Sequence, residues 1–159
     1  MSKVTSGQML GCNIVDILNT QFAARSAQGR PLAGWQRSVW PQGRPFLVNR
    51  KDTQRLETVV WFPFVTDDPK SKGVAGWRNL VSKDRNVITT RYVGDTLAQD
   101  EVYQRVARFI GKQHIVFARW IDGENVKKEF LGVYTSERKG DTFVYKRFAD
   151  WIETADWQR

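Results

Sequence analysis

The sequence has one cysteine, one histidine and no long hydrophobic run. Cys12 alone cannot form a disulfide within the chain, so we expect a reducing, cytoplasmic environment. No charged-then-apolar leader opens the sequence, and no run approaches the roughly 18 apolar residues of a membrane span. We therefore expect neither secretion nor a membrane partner.

The shortage of histidine and cysteine also limits the chemistry. His114 alone cannot supply an HNH site, a zinc deaminase cluster or a two-histidine phosphodiesterase motif, so we predict a structural role for it. No phosphate-cradling loop of the Walker or G-x-G-x-x-G type follows a strand pattern. We accordingly expect no cofactor, no metal and no enzymatic activity.

Basic residues, in contrast, are abundant. The 159 residues carry 25 Lys and Arg against 17 Asp and Glu, a formal charge of +8. Arginine predominates among them, and its planar guanidinium suits phosphates and base edges. The charge favours a nucleic-acid partner, with an acidic protein or mere solubility as alternatives. The length indicates one domain over residues 1–159, with 1–12 polar enough to fray.

Hydrophobic periodicity predicts helices over about 13–25 and 98–110, separated by strands over 57–64 and 86–93. Residues 65–80 read as a long loop. Prolines and glycines make residues 29–46 an irregular arm. This arm displays Arg30, Trp35, Arg37, Trp40 and Arg44. The last third predicts a β-meander with turns at "DGEN" and "SERKGD". The fold class is therefore α+β, a bent antiparallel β-sheet or small β-barrel with two or three short helices.

A metal-dependent nuclease is one alternative, because Asp122, Glu137 and Lys139 superficially match a D…E-x-K signature. In the predicted meander, however, Asp122 and Glu137 lie at opposite ends of the middle strand. About ten residues of strand span roughly 33 Å, too far for two ligands of one metal ion. The nuclease interpretation is possible only if the predicted meander is wrong.

Aromatic, polar and cationic residues are interleaved most densely between Trp61 and Asn79. An extruded base is held by stacking on aromatic rings and by hydrogen bonds to its Watson–Crick edge. The candidate base-binding residues are Trp61, Phe64, Asp67, Asp68, Trp77, Asn79 and Trp120. Packing in the core is the alternative for Phe62 and Phe64, and ordinary turn chemistry before Pro69 is the alternative for the two aspartates.

Phosphates require cations on an accessible surface. The candidate phosphate-binding residues are Arg78, Arg85, Arg91, Arg105, Arg108 and Lys112. Arg105 and Arg108 lie off the apolar stripe of the second helix, where a merely solvated face is the default alternative.

The meander also carries a resemblance. "KEFLGVY", a turn and "FVYKRFADW" resemble the closing strands of PUA-like domains, the superfamily that includes the SRA and EVE modules of restriction systems. "GWRNLVSKDRNVI" is similar to a segment upstream of these strands. The resemblance implies a bent barrel whose loops at one end form a base pocket, which would include the region from Trp61 to Asn79 and Trp120.

Together these features predict a nucleic-acid-binding module that reads a modified or flipped base, in DNA rather than RNA. The resemblance implies a role in host defence or restriction–modification, with a nuclease domain or subunit as a further partner. A small protein-binding inhibitor or adaptor is the first alternative, with exposed Trp and Arg as interface anchors. A metal-dependent nuclease is the second.

Overall fold

The structure, a computed structural model, describes residues 3–7, 45–50, 57–94, 99–122, 127–153 and 157–158. The first predicted helix, over 13–25, and nearly all of the predicted arm lie outside the described residues. Both stay predictions.

The described residues form eleven strands and one helix. In chain order these are β1 Lys3–Thr5, β2 Phe46–Arg50, β3 Glu57–Trp61, β4 Phe64–Thr66, β5 Trp77–Val81, β6 Val87–Tyr92, α1 Gln99–Ala107, β7 Gln113–Trp120, β8 Lys128–Lys139, β9 Thr142–Ala149, β10 Trp151–Glu153 and β11 Trp157–Gln158. β1 pairs antiparallel with β10, so residues 3–5 form a strand although the terminus was expected to fray.

Six of the strands close into a small barrel. They are hydrogen-bonded in the order β7-β4-β5-β6-β9-β8, and β8 pairs back onto β7. Strands β3, β2 and β11 extend the sheet outward from β7. The predicted small barrel is confirmed, and the described part of the chain is mostly β with one short helix instead of α+β with two or three.

The sheet is mixed, whereas an antiparallel sheet was expected. β3 and β4 both pair parallel with β7, and β4 also pairs parallel with β5. β3 and β4 form one extended segment interrupted at Phe62 and Pro63, and this segment runs alongside β7. Residue patterns predict strands but do not encode the direction of a neighbour that is distant in sequence, which is why the parallel pairs were missed.

Strand alternation separates two apolar clusters. The barrel interior collects buried side chains from all six closed strands, including Val116, Ala118 and Trp120 of β7. The opposite face of β7 contributes Ile115 and Phe117 to a second cluster, which packs against residues of β1 to β3, β8 and β10. This is the alternation expected for a strand buried on both faces.

α1 covers part of the barrel interior. Tyr103 is buried, and its hydroxyl donates to the carbonyl of Asp141 at 2.5 Å and accepts from the amide of Tyr92 at 3.2 Å. Val106 and Ile110 pack on the same cluster. The helix ends at Ala107, three residues earlier than predicted, and Gly111 follows with a φ of +92°. No helix in the described ranges is long and apolar enough to cross a membrane.

Two predicted loops are shorter in the structure. Trp77 to Leu80, expected in a loop, begin β5, because they pair with β6. β8 continues to Lys139 through most of the predicted "SERKGD" turn, because its charged end pairs with β9. The shortened loop, residues 67–76, requires glycine at position 73, where φ is +69° and a Cβ would meet the Trp77 carbonyl oxygen at 1.9 Å.

Candidate nucleic-acid interface

A cavity of about 620 Å³ opens beside α1 and reaches into the barrel. This binding cavity has side chains from β3 to β7, from β9 and from the region of α1 in its wall. Its lining residues are Pro45, Val59, Trp61, Pro63, Phe64, Val74, Ala75, Trp77, Asn79, Thr90, Arg105, Val106, Arg108, Phe109, His114, Arg119 and Tyr145. The volume lies within the roughly 300–1,000 Å³ usual for ligand sites.

Three of the predicted base-binding aromatics line the binding cavity. Trp61 stacks on Tyr145 with ring centroids 4.7 Å apart and an interplanar angle of 27°. Trp77 packs edge-on against Tyr103 at 5.4 Å. Phe64 begins β4, directly after the break at Pro63. All three rings are half-buried, so each combines a packed side with a side that the cavity can use.

A hydrogen-bonded polar group lies in the same wall. The side-chain amide of Asn79 donates to the carbonyl of Phe64 at 3.0 Å, and its oxygen accepts from the Thr90 hydroxyl at 2.7 Å. Burial raises the pKa of the Tyr145 phenol, and its interaction with Thr90 opposes this shift. Because β5 and β6 pair Asn79 directly opposite Thr90, the backbone register fixes this group.

His114 is part of this wall, although the sequence indicated only a structural role. It is 2% exposed, and its ring meets Tyr145 and Trp61 edge-on, with centroids 5.0 and 5.8 Å apart. Its Nδ1 lies 3.1 Å from the Lys112 carbonyl oxygen, which can only accept, so Nδ1 carries the proton. Burial lowers the pKa of His114 to about 4, so the ring is neutral at pH 7 and Nε2 is an acceptor.

Arginines supply the positive charge. Arg105 and Arg108 line the binding cavity from the α1 side, and both are exposed. Arg119, which was not predicted, lines it from β7, with its guanidinium 5.7 Å from the centre of the Phe64 ring. The signal available in the sequence was an arginine among the aromatic residues of a predicted strand.

Three predicted base-binding residues lie outside the lining of the binding cavity. Asp67 and Asp68 are exposed, and Asp68 accepts from the amide of Lys70 at 2.9 Å, which is ordinary turn chemistry. Trp120 is buried in the barrel, where its indole N–H donates to Glu129 at 3.0 Å. Trp120 faces the barrel interior as His114 does, but it lies at the other end of β7, beside Glu129.

Four predicted phosphate-binding residues also lie outside this lining. Arg78 donates to the carbonyl of Pro69 at 2.6 Å, and Arg85 pairs with buried Glu129 at 3.0 Å. Arg91 and Lys112 form ion pairs with Asp141 and Glu57, at 3.1 and 2.9 Å. Each of these cations therefore has an intramolecular contact outside the cavity.

The two acidic residues of the nuclease alternative, Asp122 and Glu137, lie far apart in the structure, as the predicted meander required. Asp122 follows the end of β7 that pairs with the start of β8, and it accepts a hydrogen bond from Thr66. Glu137 lies near the other end of β8, paired with Lys139 and Lys146. Among the described residues, no cluster of three or more His, Cys, Asp or Glu could hold a metal ion.

Comparison with known proteins identifies the family. The profile of the SET and RING associated (SRA) domain matches residues 13–154. The chain belongs to the SRA family. SRA domains read modified cytosine in DNA, so this SRA domain is a DNA-binding recognition module, and the resemblance to PUA-like domains is confirmed. No curated protein matches the chain.

Among solved structures, the SRA domain is similar to the 5-hydroxymethylcytosine-specific restriction enzyme AbaSI. The two chains are 21% identical, with a TM-score of 0.48. The match covers 76% of this chain and 36% of the AbaSI chain. The SRA domain therefore spans about a third of the length of that enzyme.

Proposed function

We propose that this SRA domain binds DNA with one base extruded from the duplex and inserted into the binding cavity. The observation that carries the proposal is the composition of that cavity, in which half-buried aromatic rings adjoin a buried amide and arginines. These are the groups needed to stack on a base, to read its edge and to contact the flanking phosphates.

Stacking would come from Trp61, Phe64 and Trp77. Each ring lines the cavity and is only half-buried, so a face or edge remains available to a ligand. Stacking on an aromatic side chain contributes about 1–3 kcal/mol per base. The interaction tolerates any base, so these residues supply affinity more than selectivity.

Edge recognition would come from Asn79. A primary amide has two N–H groups and two lone pairs on its oxygen, and the contacts with Phe64 and Thr90 use one of each. The remaining lone pair suits the N4 amino group of cytosine, and the remaining N–H suits N3. Because Thr90 and Phe64 fix the orientation of the amide, the edge it offers is defined before DNA binds.

Phosphate contacts would come from Arg105, Arg108 and Arg119. Arg105 and Arg108 are exposed, and all three reach the cavity wall. Arg105 also forms an exposed ion pair with Glu101 at 3.1 Å, an interaction worth little in water and easily exchanged for a phosphate.

The wider role extends the same proposal. The domain would supply recognition in a restriction or related defence system, and a separate nuclease domain or subunit would cut the DNA. The proposal includes a cytoplasmic location and a single domain over residues 1–159.

The direct test is equilibrium binding, by fluorescence anisotropy, to duplexes that differ only in one central cytosine, which is plain, 5-methylated or 5-hydroxymethylated. We expect tighter binding to a modified duplex. Trp61→Leu should weaken that binding by roughly five- to a hundredfold, through lost stacking. Trp151→Leu is the matched control, because Trp151 is 49% exposed and lies outside the cavity lining. Equal losses in both variants, or no preference for any modification, would contradict the proposal.

A further inference from the structure

One acceptor in the binding cavity has no partner. His114 Nδ1 is bonded to the Lys112 carbonyl, and Nε2 has no hydrogen-bond partner among the described residues. In the described part of the chain, the only buried side-chain N or O atom lacking a partner is Thr58 Oγ1. Nε2 therefore keeps some accessible surface, and the His114 ring lines the cavity.

His114 lies apart from the residues assigned to the Watson–Crick edge. Thr90 interacts with the Tyr145 phenol, and His114 meets the Tyr145 ring edge-on at 5.0 Å between centroids. His114 and Thr90 thus adjoin the same Tyr145 side chain, His114 at its ring and Thr90 at its phenol group. A base whose Watson–Crick edge faces Asn79 presents a different edge to His114.

A neutral imidazole nitrogen selects for a donor. A methyl group placed against Nε2 would take water away from the acceptor and return no hydrogen bond, which is unfavourable in a buried site. A hydroxyl group on the same carbon would donate to it.

We propose that His114 is a specificity-determining residue, whose Nε2 accepts a hydrogen bond from a hydroxyl-bearing substituent at C5 of the inserted cytosine. The domain then prefers 5-hydroxymethylcytosine to 5-methylcytosine. This inference rests on the proposed function, because it requires the base to enter the cavity.

The test compares the wild-type domain with His114→Phe and His114→Gln on the plain, methylated and hydroxymethylated duplexes. Phe keeps a ring without an acceptor, whereas Gln can present its side-chain oxygen near the former Nε2. The Lys112 carbonyl stays hydrogen-bonded in both variants, because Ser136 also donates to it at 3.0 Å. Near-UV circular dichroism checks that each variant retains its packing.

We expect the wild-type domain to bind the hydroxymethylated duplex roughly three- to tenfold tighter than the methylated one, the effect of one hydrogen bond. His114→Phe should bring this ratio close to one, and His114→Gln should restore part of it. In ¹⁵N NMR spectra, the Nε2 resonance of the wild-type domain should move when the hydroxymethylated duplex binds.

Two results would overturn the inference and leave the proposed function intact. One is an unchanged ratio in His114→Phe. The other is an equal loss on all three duplexes, which would show that His114 supports binding without reading the C5 substituent. A wild-type domain that does not distinguish any modified duplex from the plain one would instead overturn the proposed function itself.

Discussion

The buried histidine makes the stability of the domain depend on pH in a predictable direction. Burial removes the His114 ring from water, and the charged groups that line the same cavity are Arg105, Arg108 and Arg119, all cationic. Desolvation is the main cause that lowers the pKa of His114 from 6.5 to about 4, against the hydrogen bond with the Lys112 carbonyl. The unfolded chain binds a proton below pH 6.5, whereas the folded domain does not until about pH 4.

Stability therefore rises with pH across this window and is lost as the pH falls from about 6.5 to 4. Linkage between these two pKa values gives a loss of about 2 kcal/mol between pH 7 and pH 5. The loss approaches about 3 kcal/mol near pH 4, where the folded domain also begins to take up the proton. This is a large part of the roughly 5–15 kcal/mol that stabilises an ordinary domain.

Urea unfolding at pH 7 and pH 5, followed by tryptophan fluorescence, measures the effect. Carboxylates also titrate in this range, so the wild-type domain is compared with His114→Gln, which keeps every carboxylate and cannot titrate at this position. We expect the wild-type domain to lose about 2 kcal/mol more than the variant on acidification. An equal loss in the two proteins would refute the reasoning, because it would mean that His114 is as easily protonated in the folded domain as in the unfolded chain.

Two further predictions concern the barrel interior and the arginines. Glu129→Ala leaves the buried Trp120 indole N–H and the Arg85 guanidinium without their carboxylate. Thermal unfolding should therefore show that the free energy of unfolding falls by about 2–3 kcal/mol. A fall below about 0.5 kcal/mol would show that water replaces the carboxylate. Arg108→Gln should reduce the slope of log affinity against log salt concentration by about 1. Arg91 lies outside the cavity lining, so Arg91→Gln should leave this slope unchanged. The same slope in both variants would show that Arg108 does not contact a phosphate.

Local patterns were enough to predict most of the strands. β-branched and aromatic runs at 57–61, 87–92, 113–120 and 142–149 are strands in the structure, because such residues fill a pleated sheet that is buried on at least one face. Closure of the barrel was predicted only as a possibility. The parallel pairing of β3 and β4 with β7 depends on contacts distant in sequence, and no periodicity reports them.

The candidate site was predicted in part for the same reason. Trp61, Phe64, Trp77 and Asn79 come together because β4 and β5 are neighbours and Pro63 interrupts the strand before them. Asp67 and Asp68 are close to these residues in sequence, yet they belong to a solvent-exposed turn. His114 joins the wall through the long-range pairing of β3 with β7, which a reading of one short segment cannot supply.

Base extrusion is the central claim, and the fluorescence of 2-aminopurine tests it most directly. The fluorophore is placed next to a central 5-hydroxymethylcytosine in a duplex, where stacking quenches its emission. We predict that saturating amounts of the wild-type domain raise the emission, because removal of the target base into the cavity unstacks its neighbour. The rise should be much smaller for a duplex with plain cytosine. Tight binding to the modified duplex with no change in emission would contradict the account, because the base would then be read inside the helix.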